Sequence, residues 1–234
     1  VRRYGEIDAQ ISIVALGRLG VKQLTAGSDL DLLIIYDAAP DSVSTGQRTL
    51  AAANYVLRLA QTMVSWISTP TAEGTLYDVD LRLRPEGKAG AIATSIDRLA
   101  TYFDHDAWIW EKQALTKARP IAGDAGLNDK IQRLINSIIN HDHPKDHLIT
   151  AISEMRQRLQ KQQKPVSKWH LRQIAGGLTD IDLLIQAWRL QHGRLFSGSG
   201  QPAHDILQTL FNKDVIDKNL YEQITDAAKC LNEI

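Results

Sequence analysis

The chain has 234 residues, with 27 lysines and arginines against 27 aspartates and glutamates. A formal net charge of zero excludes a protein held on nucleic acid by bulk electrostatics, which needs a basic excess. That length allows one large domain or two modest ones. No apolar run approaches the roughly 18 residues of a membrane span, and nothing at the start resembles a signal peptide. A lone cysteine, Cys230, rules out an internal disulfide and predicts a reducing, cytoplasmic setting. A chain that opens on Val1 in charged sequence reads as a piece of a longer protein.

Along the first half, strand and helix signals alternate. Ile11 to Leu16 is a short apolar run stopped by Gly17 and Gly20, and Leu30 to Tyr36 is a second, flanked by aspartates; both are predicted strands. Between Thr45 and Ser68 the period changes. Ala53, Val56, Leu57, Ala60, Met63, Val64 and Ile67 follow the helical spacing, which predicts an amphipathic helix packed on a sheet. Thr75 to Arg84 returns to alternation. Tyr77, Val79, Leu81 and Leu83 face one way, and Asp78, Asp80, Arg82 and Arg84 the other, until Pro85 and Gly87 end the strand.

Helices dominate from there. Ser95 is a predicted cap for a helix holding Leu99, Tyr102 and Phe103, and the helical pattern resumes from Ala107 to Arg119, where Pro120 closes it. Further helices are predicted over 126–140, 146–163, 177–192, 203–212 and 215–232, with a flexible loop at 197–202. The expected architecture is an α+β domain over 1–122 with a small mixed sheet, followed by a helical bundle over 123–234.

The chemistry concentrates in two segments. In Gly27-Ser-Asp29-Leu-Asp31, two carboxylates lie two residues apart at the start of a strand and therefore share a face. Like charges so close repel unless a cation sits between them. Their hard oxygens, with no cysteine or histidine near, suit Mg²⁺ or Mn²⁺ rather than zinc. Gly27 and Ser28 supply a turn whose N–H groups are candidates for phosphate contact. In Asp78-Val-Asp80-Leu-Arg82-Leu-Arg84 the polar face carries a carboxylate and two guanidinium groups. If the two strands are neighbours, Asp80 joins Asp29 and Asp31 as a third ligand, and Arg82 and Arg84 face the anionic side of the site. Carboxylates for cations and cations for phosphates are what two-metal phosphoryl or nucleotidyl transfer requires.

Those segments also carry a likeness. Gly17-Arg-Leu-Gly20, Ala26 to Asp37, and the block ending Leu81-Arg-Leu-Arg-Pro-Glu-Gly-Lys-Ala-Gly90 resemble the glutamine synthetase adenylyltransferase family. The likeness continues through Ala107-Trp-Ile-Trp-Glu-Lys-Gln-Ala-Leu115 to Gly176-Gly-Leu-Thr-Asp-Ile-Asp182. It implies a DNA polymerase β-like nucleotidyltransferase fold. The implied chemistry is attack by a glutamine synthetase tyrosine on the α-phosphate of ATP, with PII as regulator of the full-length enzyme and no nucleic acid or membrane partner. The two tryptophans at 108 and 110 are closer to the adenylylating, C-terminal half; removal of AMP by phosphorolysis is the alternative, and a non-catalytic nucleotide-sensing module a further one. Carried over by residue, the resemblance makes Asp29, Asp31 and Asp80 metal ligands and sets Gly27 and Ser28 against the triphosphate. Asp80 becomes the proton acceptor, and Arg82, Arg84 and Lys88 the anion-binding groups.

Two departures stand out. Val21 replaces a family glycine, and a β-branched residue does not readily supply a positive φ, so a shifted loop or weaker triphosphate binding is expected. Arg172 stands where a lysine is expected. His141, His143 and His147 resemble ligands but read as a solvated connector. Trp108, Trp110, Trp169 and Trp188 read as core, and Lys164, Lys168 and Arg172 as a solvated basic face.

Overall fold

Alternating apolar residues between polar neighbours build the sheet. β1 (Gln10–Ala15) leads through a short helical turn, α1 (Gly17–Gly20), into β2 (Leu30–Asp37). The two strands are antiparallel, pairing Ile11 with Tyr36 and Ala15 with Leu32. The chain then crosses over through α2 (Ala52–Ile67) to β3 (Val79–Asp80), which lies parallel to the start of β2. β4 (Ala93–Ser95), also parallel, pairs with the far part of β2 at Ile34 to Tyr36. Since β1 holds one edge of β2, β3 and β4 lie end to end along the other. α3 (Ile96–His105) follows with Ser95 as its cap, the hydroxyl accepting the Arg98 N–H as expected. After α4 (Ile109–Leu115), β5 (Arg119–Gly123) adds to the free edge of β1, and α5 (Ala125–Ile139) closes this part.

This computed structural model describes residues 3–75, 77–141, 143–162, 171 and 174–233. Contacts divide the chain into two interleaved compact units, 1–107 with 117–138, and 108–116 with 139–234. The first unit is α+β with a five-stranded mixed sheet. Leu32 and Ile34 of β2 pack with Val56 and Ala60 of α2, while Leu33 and Ile35 point to the opposite face and are as fully buried. Leu127, Ile131 and Ile135 of α5 are buried too, and Ser12 Oγ donates to Asn128 Oδ1 at 2.6 Å.

Several elements differ from expectation. The helix expected from Thr45 begins only at Ala52. The preceding residues instead form a turn in which the Ser44 N–H and hydroxyl both bond Leu50, and Thr45 and Gly46 donate to the carbonyls of Glu6 and Tyr4. The strand expected over 75–84 contracts to Val79–Asp80, for a reason that belongs to the site. The helix expected through Arg119 stops at Leu115, and residues 119–123 are a strand; β4 was not foreseen either. Pro120 is tolerated in β5 because that strand is an edge, where a missing N–H costs no ladder bond.

The second unit is helical: α4 packs with α6 (Lys145–Gln162) and α7 (Leu178–Gln191), followed by α8 (Ala203–Asn212) and α9 (Lys218–Glu233). Ile185, Phe196, Leu207, Leu210 and Ile224 form its core, with Phe211 stacked on Tyr221 at 4.9 Å. Arg189 lies fully buried within it, bonded to neutral groups: Asn140 Oδ1 and the carbonyls of Gly193 and Gly198, with its guanidinium 4.4 Å from the Phe196 ring. Burial lowers its pKa to about 10.

Candidate active site

The start of β2 carries the carboxylates. Asp31 lies on the same face as Leu33 and Ile35, opposite α2, and Asp29 lies one repeat earlier in the exposed lead-in. Parallel pairing with β3 sets Asp31 directly beside Asp80, as Leu30 pairs with Val79. Partners in register project to one face, so the two carboxylates meet on the surface that Asp29 also reaches. The conditional expectation that the two acidic strands are neighbours is thus met at the level of strand placement.

β3 ends where it does because Asp80 turns the chain. Its Oδ1 accepts the Arg82 N–H at 2.8 Å, a side-chain bond that replaces the next ladder bond. The turn folds Arg82 back, so that Nε donates to Asp80 Oδ2 at 2.7 Å and the guanidinium forms an ion pair with the same oxygen. Arg82 is thus held mainly by its hydrogen bond to Asp80 and then by that charge, with lesser contributions from Asp29 and Asp31, and its pKa is raised. Arg84 has a different task. Its guanidinium donates to the carbonyls of Leu81 and Gly90, clamping the 81–90 turn that separates β3 from β4. Lys88 lies in the 3₁₀ turn Gly87–Ala89 by its backbone, and its side chain lies outside the described structure.

The loop between β1 and β2 packs against these carboxylates. Gly17 has a φ of +52°, and a Cβ there would collide with Asp31 Oδ2, so glycine is required twice over. Gly20 approaches the Lys117 carbonyl too closely for any side chain, and its own carbonyl accepts Arg119 Nε at 2.9 Å. Val21, by contrast, has an ordinary φ of −91° and is buried; the left-handed position is Lys22, at +60°. The backbone at 21 makes no demand for glycine, so the expected loop distortion does not arise there. Further along, the Ser28 N–H closes onto the Thr25 carbonyl at 3.0 Å and the two hydroxyls lie 2.8 Å apart. Gly27, at φ +76°, has open space around it. Arg18 donates to Thr25 Oγ1 at 2.9 Å. Arg18 was missed as a site residue although it lies inside the Gly17-Arg-Leu-Gly20 motif; only the packing of that turn against Asp31 brings it forward.

In the helical unit, Asp180 in the first turn of α7 accepts Arg156 of α6 through both oxygens, at 2.9 and 2.8 Å, and the Gly176 N–H at 2.8 Å. Partial burial pushes this carboxyl up, but the bonds from Arg156 and Gly176 and the Arg156 charge together hold it below its ordinary value. Gly177, rather than Thr179 or Asp180, is the cap. His143 is buried, not a solvated residue as expected, with its ring edge-on to His141. Trp108 also departs from expectation: it is 59% exposed beneath Arg158, while Trp66 is 77% exposed on α2. Lys164, Lys168, Trp169 and Arg172 lie outside the described residues.

Among the described residues, no group of three or more His, Cys, Asp or Glu side chains is gathered closely enough to hold a metal ion. The donor chemistry of Asp29, Asp31 and Asp80 suits a hard cation, but their arrangement does not form a cage, because both oxygens of Asp80 are engaged by Arg82. No helix among the described residues is long and apolar enough to cross a membrane.

The family model described as glutamate-ammonia ligase adenylyltransferase matches residues 2–134. The chain is 40% identical over 187 residues to a bifunctional glutamine synthetase adenylyltransferase/adenylyl-removing enzyme of Brucella suis, covering 79% of this chain and 19% of that protein. A protein of the same name from Rhodopseudomonas palustris is 40% identical over 198 residues, 82% of this chain and 20% of its own. Another from Bartonella quintana is 37% identical over 213 residues, 90% of this chain and 22% of its own. The chain thus spans about a fifth of the length of the curated relatives it matches.

Proposed function

Because the chain belongs to the glutamate-ammonia ligase adenylyltransferase family, we propose that it transfers AMP from ATP to a tyrosine hydroxyl of glutamine synthetase. The observation that carries this reading is the register pair of Asp31 and Asp80, with Arg82 folded onto it beside the Gly17 turn. The names of the relatives support the protein substrate. The small mixed sheet, with its carboxylates at the start of one strand and on its parallel neighbour, supports a DNA polymerase β-like nucleotidyltransferase fold. The chemistry falls within residues 1–122, and 123–234 supply the helical part.

In this reading the tyrosine oxygen attacks the α-phosphorus, the bond to the bridging oxygen of the β-phosphate breaks, and pyrophosphate leaves in line. The hydroxyl proton passes to Asp80 or to water. Gly27 and Ser28 lie along the triphosphate, and Arg82, Arg84 and Lys88 offset its charge, Arg84 through the turn it clamps. Two Mg²⁺ or Mn²⁺ ions, held by Asp29, Asp31 and Asp80, would stabilise charge on the phosphate oxygens. The paired tryptophans 108 and 110 favour the adenylylating half. The setting is cytoplasmic, and the regulatory PII protein acts on the longer enzyme. The ordinary backbone of Val21 removes the support for a non-catalytic sensing module.

The test mixes the chain with glutamine synthetase, ATP and Mg²⁺ and seeks AMP on a tyrosine by mass spectrometry. Modification that disappears in D29N/D31N is the expected result. Activity surviving that double substitution overturns the site. Phosphate-dependent release of ADP from adenylylated glutamine synthetase, without forward transfer, reassigns the chain to AMP removal.

A further inference from the structure

Asp80 and Arg82 are two residues apart, a spacing that in a continued strand would leave their side chains roughly 6.5–7 Å apart and parallel. Here the turn after β3 reverses the chain and lays the guanidinium onto the carboxylate. One residue therefore engages both oxygens of Asp80: its N–H bonds Oδ1 at 2.8 Å, and its Nε bonds Oδ2 at 2.7 Å. The two partners differ in exposure. The Asp80 side chain is 14% exposed and that of Arg82 66%. The carboxylate is thus set into the surface and the guanidinium lies outside it, able to leave without opening the core. The neighbouring arginine has no such freedom, since Arg84 is bonded to the Leu81 and Gly90 carbonyls.

From this arrangement we infer that Arg82 is an internal counter-ion occupying the carboxylate site, and that divalent cations bind there only by displacing it from Asp80. Asp29 and Asp31 add their charge to the same guanidinium, so Arg82 offsets repulsion among three carboxylates that share one face. An exposed ion pair is weak, and a divalent ion offers these oxygens twice the charge. Displacement is therefore within reach of ordinary cation concentrations. Once released, the guanidinium remains on a flexible side chain beside the site, and its fork suits a phosphate oxygen pair. Cation entry and phosphate capture become one exchange, in which Arg82 moves from Asp80 to the triphosphate. This rests on the nucleotidyl-transfer reading above and adds to it an order of events: the cation that enters frees the arginine that then holds the nucleotide.

The experiment titrates the full chain with Mn²⁺ alone, following free Mn²⁺ by electron paramagnetic resonance, and separately measures binding of α,β-methylene-ATP. Wild type, R82A, R82K and D31N are compared after thermal melts establish that each is folded. R82A is expected to bind Mn²⁺ about fivefold tighter than wild type, the value of one exposed ion pair, while binding the nucleotide more weakly. R82K, with a point charge and no fork, falls between them in both measurements. D31N loses Mn²⁺ binding. Equal or weaker Mn²⁺ binding by R82A, with D31N still disrupting it, overturns the displacement while leaving the carboxylate site in place. Mn²⁺ binding absent from every variant, or indifferent to D31N, overturns both this inference and the site on which it rests.

Discussion

Gly17 shows how one residue can determine a site without taking part in its chemistry. Its left-handed backbone and the Asp31 carboxylate against its Cα both exclude a side chain. Gly17→Ala is expected to lower stability by about 1–2 kcal/mol through the backbone alone, and to reduce AMP transfer about tenfold or more by shifting Asp31. Urea melts and initial rates check the two effects separately. Val21 behaves in the opposite way. Because it is buried with an ordinary φ, Val21→Gly, which restores the glycine of the family pattern, should cost about 2 kcal/mol of stability from lost apolar burial and added chain freedom. A thermal melt that rises on this substitution would refute the packing role.

Among the elements, β3 and the α6–α7 pair show how polar side chains set boundaries. Alternation predicted a strand through Arg84, yet Asp80 captures the next available N–H and the strand stops after two residues. Periodicity records which residues tolerate a pleat, and it does not record a competing side-chain acceptor. In the helical unit, Arg156 and Asp180 join α6 to α7. The Asp180 carboxyl is held below its unfolded value, near 3.8. Its stabilising contribution is therefore fully present above that pH and is lost as the pH falls through the lower, folded value. Asp180→Asn should reduce stability at pH 7 by about 1 kcal/mol, discounted for the exposure of Arg156. It should also flatten the acid limb of a melting temperature profile between pH 5 and 2, whereas a parallel profile would refute the assignment.

For the whole molecule, connectivity and compactness diverge. The first unit takes in residues 117–138, and α4 belongs with the helices of the second. A chain ended at residue 122 would lack Leu127, Ile131 and Ile135, all of them essentially inaccessible to water. Each loss of that kind costs roughly 2 kcal/mol or more. Such a chain is expected to give the broad circular dichroism melt and collapsed amide spectrum of an unfolded protein, even though every candidate site residue lies within it. A sharp melt would show that α5 is dispensable.

The sequence alone determined which residues carry the chemistry and most of the helices, because amphipathic periodicity and the spacing of Asp29 and Asp31 are local properties of the chain. β4 and β5 escaped it: three or five residues seldom bear a period, and their pairing is decided by strands far away in sequence. Only the tertiary structure decided that Asp31 and Asp80 are partners, since register across the α2 crossover depends on how that helix packs on β2. Only there, too, do Gly17 meet a carboxylate, Val21 become ordinary core and Arg82 return to Asp80. Charge and spacing can be read from one residue to the next, whereas a contact between residues 17 and 31, or 31 and 80, exists only once the sheet has formed.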